Sequence, residues 1–165
     1  MDTQIKLANP RHFYIGGEWV APSTSATFKV LNCSTEEVMA TVAEAQAADV
    51  DRAVTAARHA FDEGPWPRMT HAERATYLRR IAEEFTCRND EFARVWSIES
   101  GIVYKVAQPR IGLFLSGAFK QYADMAATFP FLEPRRSATG HQGYIVREPV
   151  GTVAAIVPWN GPAGG

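Results

Sequence analysis

The spacing of apolar and polar positions changes character along the chain. Phe13, Tyr14 and Ile15 lead into Gly16-Gly17, and Trp19 and Val20 follow. Short apolar runs around two glycines predict a tight hairpin over His12 to Val20, because its turn residues need positive φ. Phe28–Asn32 and Val38–Val42 predict a second strand pair, joined by the polar run Ser34-Thr35-Glu36-Glu37. A helical period then takes over. Val50, Ala53, Val54, Ala57 and Phe61 make one apolar face, with Asp49 as the predicted N-cap and Gly64 as the stop. After the rigid Pro65-Trp66-Pro67, Thr70 and Glu73 stand at capping-box spacing. The helix they open carries Ala75, Leu78, Ile81, Ala82 and Phe85 on its apolar face. A third helix is predicted from Asn89 to Gly101. A fourth follows Pro109, with a stripe from Ile111 through Phe114, Leu115, Ala118, Tyr122 and Met125 to Phe129, and Pro130 ends it.

Beyond Pro134 the pattern breaks. Arg135–Gly140 reads as a polar link and Gly143–Glu148 as a strand with mixed faces. Val153–Val157 is apolar at every position, which suits a strand covered on both sides in a parallel sheet. Such a sheet needs further strand–helix units, and none follows Trp159 in this sequence.

Composition narrows the class. The 165 residues are 46% hydrophobic and 21% charged, as in globular domains. Seventeen basic against eighteen acidic residues give a net charge of −1, with no signature of a nucleic-acid or membrane-surface binder. The longest apolar stretches, Ile111–Phe119 and Val150–Trp159, fall short of the ~20 residues a membrane helix needs. Met1–Pro10 holds Asp2 and Lys6 and no apolar core, so no secretory signal is read there. Two cysteines make no disulfide framework, and a cytoplasmic location is expected.

Several motifs are absent. No Gly-x-Gly-x-x-Gly occurs, and Ala118-Phe119 stands where the P-loop spacing of Gly112 and Gly117 would need Lys and Ser or Thr. His12, His59, His71 and His141 show no metal-ligand spacing, so they read as surface histidines and no metal site is expected. Cys87 lies beside Arg88, and a neighbouring cation favours a reactive thiolate. The plainer reading is a half-buried helix cysteine.

One segment stands apart. Arg147-Glu148-Pro149-Val150-Gly151 leads through Val153–Val157 into Pro158-Trp159-Asn160. Here the chain resembles the aldehyde dehydrogenase superfamily, in which a Glu-Pro-x-Gly segment feeds a buried strand ending in Pro-Trp-Asn. Earlier pieces agree in order and spacing. Tyr14-Ile15-Gly16-Gly17-Glu18-Trp19 resembles the family's first hairpin. Asn32-Cys33-Ser34-Thr35-Glu36-Glu37-Val38 resembles its Asn-Pro-Ala-Thr-Gly-Glu strand pair, and Ile98-Glu99-Ser100-Gly101 its Glu-Thr-Gly helix end. The resemblance runs from Phe13 to Pro162.

It implies an α/β fold: β-hairpins, a four-helix cluster, then the start of a Rossmann-like parallel sheet that is incomplete. Residues 1–134 would be the N-terminal part of the cofactor-binding domain, 135–150 an oligomerisation-type strand and linker, and 151–165 the first strand of the dinucleotide-binding sheet. The implied parent reaction is aldehyde, NAD(P)+ and water to carboxylic acid and NAD(P)H, in a homo-oligomer acting on a small aldehyde. Asn160 would donate its amide N–H to the oxyanion of a thiohemiacetal, and Ile156, Val157, Pro158 and Trp159 would line the nicotinamide–ribose pocket. Read without the resemblance, Asn160 is an amide that bonds its own turn. Phe114, Phe119 and Tyr122 on the fourth helix would lie nearest the substrate channel, and Gly143–Glu148 would begin the hairpin that pairs subunits.

Departures remain. Gly161 stands where many relatives carry Phe or Ala, and Ala163-Gly164-Gly165 replaces an apolar helix start. Neither Cys33 nor Cys87 lies where the family's nucleophile belongs, and its general-base Glu has no counterpart. The expectation is therefore an N-terminal fragment, inactive alone. The alternatives are a non-catalytic module that pairs through Gly143–Glu148 and one half of a split enzyme.

Overall fold

The computed structural model describes residues 5–161. Strands β1 (Phe13–Ile15) and β2 (Glu18–Val20) form the first antiparallel hairpin. Its turn glycines hold φ of +64° and +91°, a conformation that carries no Cβ penalty in glycine. Strands β3 (Thr27–Leu31) and β4 (Val38–Ala43) form the second, with an irregularity at Val30/Leu31.

Helix α1 (Ala47–Asp62) begins earlier than expected. Gln46 is its N-cap, and Asp49 is the reciprocal member of the capping box, three residues in. The Asp49 carboxylate is buried and heavily used. It accepts from Gln46 N–H (2.9 Å), Ser23 N–H (2.8 Å), Ser23 Oγ (2.7 Å) and Arg52 Nη2 (2.6 Å). The Gln46 backbone bond heads these contacts, and together they hold the carboxyl well below the usual range, against the desolvation that raises it. The network ties the helix start to the loop after β2. The predicted apolar face of α1 is largely uncovered, with Val50 and Val54 each 52% exposed.

Helix α2 (His71–Cys87) opens on the Thr70–Glu73 capping box, as its sequence predicts. Helix α3 (Asn89–Ser100) ends on Gly101 in the left-handed conformation (φ +76°). The fourth helix starts before Pro109 rather than after it. It comprises α4 (Tyr104–Ile111), a π turn (Gly112–Ser116) and α5 (Gly117–Met125). Pro109 is the sixth residue of α4, so the carbonyl left without its bond is that of Lys105, in the first turn of the helix.

The core forms where these helices meet. Ala93, Trp96, Ala107 and Ile111 are buried between α3 and α4, with Phe92, Ile102, Tyr104 and Leu115 against them. Two alanines at zero exposure let the helices approach closely. Between α2 and α5, Ala75, Ala82 and Ala123 are buried, and Phe85 stacks on Phe119 at 5.7 Å.

The run that reads as a polar link begins in a strand, with Arg135 and Arg136 as that strand's last residues. Strand β5 (Leu132–Arg136) pairs antiparallel with β6 (Gln142–Val146), setting Arg135 opposite Gly143 and Pro134 opposite Tyr144. A two-stranded hairpin has only edge strands, where proline is tolerated. No ladder includes Val153–Val157 among the described residues, so the predicted strand is not formed. Among the described residues no neighbouring strand receives its backbone groups. Among the described residues no helix is long and apolar enough to cross a membrane.

Candidate active-site segment

The segment 147–161 leaves the base of the β5–β6 hairpin. Pro149 biases Glu148 toward extended backbone. Gly151 adopts φ +117°, which a side chain would strain, and a Cβ there would stand 3.6 Å from Arg58 Nη1 on α1. Arg58 is itself ion-paired to Asp62 and lies over the Phe61 ring at 5.1 Å. The chain then runs outward. Val153 is 72% exposed, Ile156 93%, Val157 46% and Trp159 80%. Gly161 N–H returns to the Pro158 carbonyl at 3.4 Å and closes a turn through Trp159 and Asn160.

Asn160 is exposed in this turn, and its side-chain amide makes no hydrogen bond among the described residues. The five predicted residues, Ile156 to Asn160, are brought together by continuity of the chain. Ile156, Val157 and Trp159 place apolar side chains next to the Asn160 amide in sequence, all of them open to solvent.

Other candidates fall elsewhere. Phe119 belongs to the packing between α2 and α5, whereas Phe114 and Tyr122 are 47% and 65% exposed. Gly112 and Gly117 bracket the π turn inside a continuous helix, so no phosphate loop exists there. Cys87 is exposed rather than half-buried. Arg88 commits both arms of its fork to Glu91 at 2.8 Å instead of the thiol. Cys33 lies against the Gly101 cap, 3.1 Å from the place a Cβ would take. His71 is more than a surface residue: it stacks on Phe131 with ring centroids 3.6 Å apart. No sequence spacing announces that contact. Asp49 had a signal, the pair Gln46 and Asp49, read one turn late.

A profile of the aldehyde dehydrogenase family matches residues 19–164. A geranial dehydrogenase from Castellaniella defragrans is 37% identical over 152 residues, covering 92% of this chain and 32% of that enzyme. Aldehyde dehydrogenase 1 of Tanacetum cinerariifolium is 39% identical over 150 residues, covering 91% and 30%. A crystal structure of Mycobacterium tuberculosis aldehyde dehydrogenase complexed with NAD+ superposes with a TM-score of 0.85 at 38% identity, covering 93% of this chain and 32% of that one. The chain belongs to the aldehyde dehydrogenase family. It spans about a third of the length of the curated relatives it matches.

Proposed function

We propose that this chain is the N-terminal portion of an NAD(P)-dependent aldehyde dehydrogenase, contributing the oxyanion donor and one wall of the cofactor pocket. The family match carries the reading, with Pro158-Trp159-Asn160 presented at the end of an apolar run. The nicotinamide, when bound, accepts hydride from the aldehyde carbon. The chain's own part is to orient and to stabilise charge. Asn160 Nδ2 donates to the oxygen that turns anionic as the carbonyl is attacked. Pro158 and Trp159 limit the motion of that amide, so little reorganisation is needed when the charge appears. Ile156, Val157 and Trp159 exclude water on the side where the ring binds.

The exposed β5–β6 hairpin supports assembly with a second copy, through Tyr144, Ile145 and Val146, which all face solvent here. The two free cysteines support a reducing compartment, and we place the chain in the cytoplasm.

The 165-residue chain is expected to oxidise no aldehyde with NAD+ or NADP+, because the resemblance assigns the nucleophile to neither Cys33 nor Cys87. Turnover abolished by Cys87→Ala would overturn this. In a complete enzyme that carries this segment, Asn160→Ala is expected to lower kcat by about 10²–10³-fold. An unchanged kcat would remove Asn160 from the oxyanion hole.

A further inference from the structure

The β5–β6 hairpin is joined to the rest of the molecule at its base. Neither strand makes more than marginal contact with any other element among the described residues, and β6 is exposed throughout. At the base, Arg147 makes four separate contacts. Its backbone N–H donates to the Phe131 carbonyl at 2.9 Å, extending the ladder beyond Val146. Its Nη1 donates to the Pro130 carbonyl at 2.8 Å. The guanidinium pairs with Glu133 and lies 5.6 Å from the centroid of Phe129. Phe131 carries the connection onward, its ring stacked on His71 at an interplanar angle of 7°. His71 is held in turn by Arg74, which donates to its Nδ1 at 2.8 Å and to the Met69 carbonyl at 2.7 Å.

Arg147 also begins the run to Asn160. Glu148 and Pro149 follow it directly, and their restricted backbone has little freedom to absorb a change of direction. Glu133 has a second cation, Arg135 at 2.6 Å, so neutralising that carboxylate does not need Arg147. Reaching Pro130 and Phe129 does. We infer that Arg147 is a positioning residue that locks the hairpin and the Asn160-bearing segment to helix α2 in one geometry. Its bearing on catalysis rests on the reading of Asn160 proposed above.

Spin-label distances in the 165-residue chain test this. With Cys33→Ser in place, one nitroxide goes on Cys87, at the end of α2. The other goes on Ala138→Cys at the hairpin turn or on Thr152→Cys beyond Arg147. The parent is expected to give one narrow distance for each pair. Arg147→Ala is expected to lose both narrow distances while the melting temperature stays close to the parent's. Arg135→Ala, which removes only the other cation on Glu133, is expected to keep them. If Arg147→Ala does not fold, Arg147→Lys, which keeps the charge beside Glu133 but lacks the guanidinium fork that spans Pro130, Phe129 and Glu133, is expected to broaden the Ala138→Cys distance in a folded chain. Narrow distances in Arg147→Ala, or in a folded Arg147→Lys where that fallback is needed, would overturn the inference. So would equal broadening in Arg135→Ala. These readouts involve no turnover, so an unchanged kcat for Asn160→Ala in a complete enzyme faults the proposed function and leaves the joint standing.

Discussion

Two apolar regions of this chain differ in how far they are buried. Ala93, Trp96, Ala107 and Ile111, between α3 and α4, are at most 6% exposed. Val150 and Ile156, in the segment that carries Asn160, are 98% and 93% exposed. Both regions are apolar enough to seek cover. The first finds it because α3 and α4 are consecutive and joined by a short link, so the two faces meet at little loop-closure cost. The second is a strand sequence with no neighbouring strand among the described residues. Helix α1 falls between: its capping network is complete, yet its apolar face is largely open. Hydrogen bonding close in sequence thus forms the elements, and burial depends on which partners are present.

The strongest way to break the contrast is to hollow out the covered side. Ile111→Ala removes a side chain 1% exposed and is expected to cost about 2–5 kcal/mol, read by denaturant unfolding. The next largest effect is expected at Asp49, where Asp49→Asn should lower the thermal midpoint by loosening α1 from Ser23 and Arg52. The pH dependence gives the sign. Because the folded carboxyl is depressed, its contribution is whole above the unfolded value of about 4 and is lost as the pH falls below that toward the folded one. The parent should therefore lose stability on acidification faster than Asp49→Asn, and parallel melting curves across acid pH would refute this.

A smaller effect of opposite sign is expected at Glu36, whose φ of +59° is the one left-handed non-glycine conformation among the described residues. The family pattern places glycine there. Glu36→Gly should relieve that backbone and raise stability by about 1 kcal/mol, measured by the same unfolding curves. Smallest of all, Ile156→Ala should change stability by less than about 0.5 kcal/mol, because that side chain is 93% exposed. A large loss there would mean that the segment is covered in solution.

The legible parts of the sequence were those decided within a few residues. Gly16-Gly17, the Thr70–Glu73 box and the Gly101 stop each carry their own geometry. The misread parts depended on something farther away. Arg135 and Arg136 look like a linker until the opposite strand supplies Gly143 and Gln142. Pro109 reads as a helix start until it is set against the preceding turn from Tyr104. Val153–Val157 has the composition of a central strand, but a strand exists only against a partner. The candidate site itself was legible through resemblance, since an apolar run ending in Pro-Trp-Asn has no local feature that separates an oxyanion donor from a turn.

The π turn between α4 and α5 has a consequence for how this chain tolerates change in length. Gly117 N–H reaches back to the Gly112 carbonyl, so this turn holds one residue more than an α ladder needs. Deleting one residue there returns the helix to ordinary winding while Ile111 and Ala123 keep their headings toward α3 and α2. The same deletion elsewhere in the helix would turn one of those faces by about 100°. Gly112–Ser116 is thus the place in this helix where an insertion or deletion can be absorbed during evolution without disturbing the packing on either side.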